Sequence, residues 1–257
     1  MRAAIDRILP QGPMDLLRQI VLFCGAYYLY RLVRGQVYGE AALAYAHAAS
    51  IVHLERSLHV FVEPDVQRWA VGTGWLTKVT SWMYINLHFV VTTVTLAFIY
   101  LRRNEHFYFV RNMYTVAMGL ALLGYILYPT APPRLFPELG FTDSVAQYTH
   151  VSDTSSVNAL FNPYAAVPSM HVCFALMIGW SMVRIVRRSW ASAFWAVYPA
   201  VMTFVVVSTG NHWFFDAATG ALVAAVSAGV AVLVARTRPE AWAWAPERGM
   251  PAPARAG

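Results

Sequence analysis

Two stretches hold the residue types from which a chemical site is built: Ala165-Ala166-Val167-Pro168-Ser169-Met170-His171 and Asn211-His212-Trp213-Phe214-Phe215-Asp216. His212 and Asp216 stand at i and i+4, so on a helix both side chains project from one face. A carboxylate beside an imidazole fixes its tautomer and favours its charged form, which prepares a nucleophile or a base. In the other stretch, Pro168 lacks a backbone N–H and has φ preset near the helical value, which suits the first turn of a helix. The residues after it, as far as Val183, are nearly all apolar or small, as a buried or membrane helix requires. Ser169 and the unpaired N–H groups of that first turn then form an anion site. His171 sits one step in, placed to exchange a proton with the anion. Together these residues point to phosphate chemistry.

A third stretch, Tyr128-Pro129-Thr130-Ala131-Pro132-Pro133-Arg134, supplies a cation on a rigid, proline-fixed turn. An arginine held there is a guanidinium fork suited to phosphate oxygens. The plainer reading is an interfacial arginine that pairs with lipid headgroups. His171 likewise has a plain reading as a satisfied structural histidine, and His212 with Asp216 as a structural hydrogen-bonded pair. Ionisable residues inside a membrane are functional candidates by default, which favours the chemical reading. Two histidines and a carboxylate also suit a metal. The neighbouring arginine argues against that, because a metal ion repels it, and no metal or other cofactor is expected.

The elements that must position these residues are apolar. Hydrophobic residues make up 58% of the 257 and charged residues only 12%, with a mean hydropathy of +0.46. Soluble domains carry about twice that share of charge, and the apolar residues here fall in long runs, so an integral membrane protein is expected. The net charge of +6 is mostly arginine in short loops. A nucleic-acid surface needs a dense basic stripe, and there is none. Cys24 and Cys173 lie inside apolar segments and read as packing residues, not as a disulfide frame. Ala46-His47-Ala48 faintly resembles a signal cleavage site, but Arg31 and Arg34 separate it from the apolar run, so the first segment is expected to stay as an anchor.

The predicted fold is all-α: a polytopic membrane protein of about six transmembrane helices, with interfacial helices between the first and second. The spans are expected over residues 16–33, 75–100, 114–128, 169–186, 191–207 and 214–235. The first is the weakest, because Arg18, Gln19 and Arg31 bound a short apolar centre. Between residues 40 and 73 the mixed pattern predicts two short amphipathic helices, broken near Glu63-Pro64. Residues 1–235 read as one catalytic domain, and residues 236–257, rich in proline and arginine, as a disordered cytoplasmic tail. Arginines cluster in the loop from Arg102 to Arg111, at Arg184, Arg187 and Arg188, and in the tail. Residues 129–168 contain only Arg134 and no lysine, and residues 209–211 have no charge. The positive-inside rule therefore places Arg134, His171, His212 and Asp216 together on the non-cytoplasmic face.

These motifs resemble those of the phosphatidic acid phosphatase type 2 superfamily, and within it the branch of inositol phosphorylceramide synthases and related actinobacterial membrane proteins. The resemblance rests on Ala131-Pro132-Pro133-Arg134, Pro168-Ser169-Met170-His171 and His212-Trp213-Phe214-Phe215-Asp216, and it extends to the order of spans over residues 54–235. It implies that His212 is a nucleophile forming a phosphohistidine, that Asp216 orients it, and that His171 protonates the leaving group. Arg134 and the turn at Ser169 would hold the phosphoryl oxygens, and cations with backbone dipoles would stabilise the developing charge without a metal.

The chain also departs from the wider superfamily. Val205 and Val206 stand where its third motif has Ser-Arg, Leu127 where its first has lysine, and Met170 where its second has glycine. Two phosphate-binding cations are therefore missing. Arg31 and Arg34, i and i+3 at the expected outer end of the first span, are candidates to replace them; simple snorkelling is the alternative. The expected activity is transfer of a phosphodiester headgroup, of the phosphoinositol type, from a lipid to another hydroxyl at the outer face of a bacterial cell membrane. A lipid phosphate or polyprenyl diphosphate phosphatase is the first alternative, and a non-enzymatic headgroup-binding protein the second. Binding alone needs no acid and nucleophile pair, so His171, His212 and Asp216 together weigh against the last.

Overall fold

A computed structural model of the chain describes residues 9–36, 41–149, 163–186 and 188–237, with residues 30–36 described by their backbone alone. The helices are α1 (Gly12–Gln36), α2 (Ala41–Ser57), α3 (Glu63–Gly72), α4 (Trp75–Trp82), α5 (His88–Arg102), α6 (Asn104–Leu127), α7 (Ser144–Thr149), α8 (Met170–Ile185), α9 (Ser189–Ser208) and α10 (Phe214–Thr237). α4 runs into α5 through a π-helical turn, Met83–Leu87. Two 3-10 turns, Pro133–Leu135 and Pro137–Leu139, follow α6. The described residues form no strand, only an isolated bridge between Thr130 and Ala165.

Four helical stretches are long and apolar enough to cross a membrane: Trp75–Arg102, Asn104–Leu127, Ser189–Ser208 and Phe214–Thr237. They carry the first, second, fourth and fifth of the spans expected after the interfacial segment. α8 is apolar but has 16 residues, about 24 Å at 1.5 Å per residue, which is shorter than a hydrocarbon core of about 30 Å. α1 has 25 residues but is not among the helices apolar enough to qualify. Large side chains such as Phe89, Val94, Trp190, Phe194, Leu222 and Leu233 are exposed on the qualifying stretches; such a surface suits lipid rather than water.

Several boundaries differ from expectation, three of them in α6, α10 and α8. α6 begins at Asn104, ten residues before the expected start at 114, because its polar first turns find partners. Arg111 donates to Gln19 Oε1 at 2.9 Å and to Asn112 Oδ1 at 2.7 Å. Asp15 accepts from Tyr100 at 2.9 Å and from Tyr108 at 3.2 Å. These bonds clip the start of α1 to α5 and α6. α10 continues to Thr237, two residues past the expected end; the tail beyond it lies outside the described residues. Finally, α8 begins at Met170 with Ser169 as its N-cap, so Pro168 precedes the helix rather than lying in its first turn. The Val167-Pro168 peptide is cis.

α8 is the central post. Met113, Tyr114, Ala117 and Ala121 of α6 form one buried cluster with Cys173, Met177 and Ile178 of α8. Two glycines allow the chain to cross closely at the head of α8. A Cβ on Gly124 of α6 would lie 2.7 Å from Pro168 Cδ, and one on Gly220 of α10 would strike the Ser169 carbonyl. The break between α2 and α3 falls just ahead of Glu63, with Pro64 in the first turn of α3, where a missing N–H costs nothing.

α2 and α3 buttress the loops at the opposite end from the α1 clip. His47 Nδ1–H donates to the Pro129 carbonyl at 2.8 Å and its ring stacks on Tyr128. The Ala131 N–H donates to the Ala44 carbonyl at 3.1 Å. Gln67 of α3 bonds Thr142 in both directions, Nε2–H to its carbonyl at 2.8 Å and Oε1 from its N–H at 3.0 Å.

Candidate active site

His212 is not itself helical. It lies in the turn between α9 and α10, two residues before α10 starts at Phe214. Its pairing with Asp216 is therefore made across the start of a helix and not along a helical face. The imidazole Nδ1–H lies 3.1 Å from Asp216 Oδ2, and the same oxygen accepts the Trp213 N–H at 2.9 Å. Asp216 thus caps the helix it belongs to, in the manner of the acidic residue of a capping box, while it orients His212. Its side chain is wholly buried.

The three motifs meet at this turn. Arg134 donates its backbone N–H to the Gly210 carbonyl at 2.8 Å and its Nη1–H to Asn211 Oδ1 at 2.7 Å. Trp213, fully buried, donates its indole N–H to the Ala131 carbonyl at 2.9 Å. On the other side, the Ser169 N–H donates to the Asp216 carbonyl at 3.0 Å. The ring centroids of His171 and His212 are 6.0 Å apart. Arg134, Ser169, His171, His212 and Asp216 are thereby gathered at one end of the bundle. Arg31 and Arg34 belong to the stretch whose side chains lie outside the described residues.

The Ser169 N–H is engaged by the Asp216 carbonyl and docks the head of α8 on α10. The Ser169 hydroxyl is buried without a hydrogen-bond partner. The helical ladder of α8 opens with the Cys173 N–H bonded to the Ser169 carbonyl at 3.0 Å. The N–H groups of Met170 and Val172 have no carbonyl four residues back within the helix.

A family model described as the PAP2 superfamily matches residues 49–230. This chain belongs to the PAP2 superfamily. No curated protein and no solved structure matches it. PAP2 membership supports a phosphatase-type enzyme acting on lipid phosphates, and the apolar helices support an integral membrane protein.

The PAP2 site here includes residues that the sequence did not single out. Asp143 lies 3.4 Å from Arg134 Nε, so part of the guanidinium charge is already balanced. His88, in the helix next to the site and almost wholly buried, packs its ring at a tilt against His171 with centroids 4.7 Å apart, and its Nδ1 lies 3.5 Å from the Tyr198 hydroxyl. Tyr84 stacks on His171 from the π-helical turn at 4.5 Å. Most unexpected are two buried glutamates at the start of α10. Glu63 Oε1 accepts the Phe214 N–H at 3.0 Å, and Glu55 Oε1 accepts the Phe215 N–H at 2.8 Å. In the sequence both sat in a mixed charged stretch that reads as interfacial, and nothing in that pattern separates them from Asp65 or Arg68, which form an exposed pair. Among the described residues, no three or more His, Cys, Asp or Glu side chains are grouped so as to hold a metal ion.

Proposed function

We propose that this PAP2 protein is a lipid phosphotransferase of the inositol phosphorylceramide synthase-like branch, acting through a phosphohistidine on His212 at the non-cytoplasmic face of a bacterial cell membrane. The observation that carries this reading is the His212–Asp216 pair at 3.1 Å with the His171 ring beside it. With Nδ1 engaged by Asp216, His212 attacks phosphorus through Nε2. The bond from phosphorus to the leaving oxygen breaks as His171 gives that oxygen a proton. An acceptor hydroxyl then attacks the phosphohistidine, passes its proton to the now neutral His171, and the P–N bond breaks to restore His212. Asp216 stabilises the imidazolium state at both ends of the cycle. Arg134 and the N–H groups at the head of α8 stabilise the oxygens, so the developing charge is met without calling on a metal.

A diester donor, such as a phosphoinositol lipid, fits the charges best. Arg134 faces Asp143, and the carboxylates of Glu55, Glu63 and Asp216 occupy the first N–H groups of α10. A phosphate bound here therefore meets little surplus positive charge. A phosphomonoester near neutral pH approaches two negative charges and a phosphodiester carries one, so desolvating the monoester is the less favourable. The test is turnover of radiolabelled phosphatidylinositol with and without an acceptor alcohol, with rapid quenching to trap label on the protein. Acid-labile, alkali-stable label in the wild type and none in His212→Ala is expected. Turnover without such label would reject the phosphohistidine.

A further inference from the structure

Three consecutive N–H groups at the start of α10 each meet a different carboxylate. Trp213 N–H meets Asp216, Phe214 N–H meets Glu63 and Phe215 N–H meets Glu55. Asp216 belongs to α10 itself, but Glu55 and Glu63 come from the end of α2 and the start of α3. They are 3% and 0% exposed. Each uses only Oε1 on the helix, and the Oε2 oxygens of both are buried without a donor. Because they accept from the adjacent N–H groups of Phe214 and Phe215, the two carboxyl groups lie side by side. Two carboxylates cannot bond one another, since both only accept. Ionised together in a buried place they would also repel, and among the described residues neither has an ion-pair partner. A single proton between them removes both problems.

We propose that Glu55 and Glu63 share one proton between their Oε2 oxygens and act as a single monoanionic clamp on the N-terminus of α10, positioning Asp216 and through it His212. They are positioning residues and do not touch the substrate. The charge state matches the task, because one negative charge complements the positive end of the helix, whereas two would add an uncompensated buried charge. Burial, then the hydrogen bond and charge of Glu63, push the Glu55 carboxyl up to about 9 against the opposing Phe215 N–H. The groups that face the pair are Asp216 from α10 and the two helix N–H groups; Arg56, next in sequence to Glu55, lies instead over the Phe61 ring at 4.9 Å. The clamp releases when the shared proton leaves at alkaline pH, so α10 loosens and the His212–Asp216 geometry is lost.

The inference relies on the phosphohistidine reading only for its kinetic arm, and a spectroscopic arm stands apart from it. Infrared spectra of the full chain in lipid nanodiscs, titrated from neutral to alkaline pH, should lose a protonated-carboxyl C=O band that Glu55→Gln and Glu63→Gln both lack. In turnover assays Glu55→Ala and Glu63→Ala should lower kcat by about 10- to 100-fold, the scale of a misplaced catalytic group, with KM little changed. Glutamine at either position should retain most of the turnover that alanine loses, because its amide donates the hydrogen bond that the shared proton makes. It should also remove the part of the alkaline fall in kcat that belongs to the pair, because an amide does not ionise, and leave the part set by deprotonation of His171. No such band in the wild type, or a band that persists in both glutamine variants, overturns the shared proton. An alkaline profile of kcat in the glutamine variants identical to that of the wild type, or unchanged kcat in the alanine variants, overturns the positioning role. A titrating band in a protein that turns over no phosphate ester supports the shared proton and removes the proposed function instead.

Discussion

The indole N–H of Trp213 donates to the carbonyl oxygen of Ala131 at 2.9 Å, joining the turn that carries His212 to the proline-fixed turn that carries Arg134. The Trp213 ring is fully buried against Phe61, Phe136 and Phe141. Trp213→Phe keeps an aromatic ring but removes the donor. The Ala131 carbonyl then loses its partner in a buried place, and a loss of about 1–3 kcal/mol is expected. Thermal unfolding in detergent should report that loss, and kcat should fall with it because Arg134 is no longer held in register with His212.

The two histidines should respond differently to mutation. His212→Ala is expected to abolish turnover and covalent labelling together, since it removes the proposed nucleophile. His171→Ala should slow leaving-group departure by about 10²- to 10⁴-fold, the usual contribution of a general acid. The defect should be smallest for an ester with an acidic leaving group, which needs no proton. Comparing a nitrophenyl diester with a lipid substrate measures this; an equal defect on both would place His171 outside the acid role.

Stability should fall as pH rises from the ordinary glutamate range toward about 9. The Glu55 carboxyl is raised from 4.5 to about 9 by burial and by Glu63, so the folded chain keeps a proton that the unfolded chain releases. The contribution is complete below the unfolded value and is lost as pH climbs through the folded one. One such proton gives a slope of at most about 1.4 kcal/mol per pH unit. Melting temperatures across this range should decline in the wild type and flatten in Glu55→Gln.

Sidedness can be read by cysteine labelling. Thr142 is exposed at the end of the bundle that holds the site, and Glu105 is exposed at the start of α6, at the opposite end. With Cys24 and Cys173 replaced, Thr142→Cys should react with an impermeant thiol reagent in intact cells. Glu105→Cys should react only after permeabilisation. The reverse pattern would place the site on the cytoplasmic side.

Donor choice should follow charge. Headgroup transfer from phosphatidylinositol is expected to exceed phosphate release from phosphatidic acid, and the double variant Arg31→Gln/Arg34→Gln should keep that order. Fast release from phosphatidic acid with no transfer, abolished in the double variant, would mean that these arginines supply the missing cations and that the protein is a monoesterase.

Much of this protein is legible in the chain itself. Long apolar runs can be satisfied in lipid only as helices, because every backbone polar group must then be paired within its own segment, and four such helices are present. The spacing of His212 and Asp216 makes their pairing a local matter, and the structure forms it, although at the mouth of α10 and not along its face. The arginine-poor connections predict that Arg134, His171 and His212 lie at one end, and the structure gathers them there.

Other parts depend on segments that meet only after folding. Glu55 and Glu63 are 160 and 151 positions from the N–H groups they accept, and no local pattern marks two glutamates in a charged stretch as buried. The docking of the Ser169 N–H on the Asp216 carbonyl depends on Gly220, which lets α10 approach the head of α8, and the sequence around Ser169 shows only the start of α8. His88 becomes a neighbour of His171 only because α5 packs against α8. Apolar periodicity and motif spacing are properties of single segments, so they can be read along the chain. The burial of a charge, and the partner that makes that burial tolerable, are properties of the packed helices together.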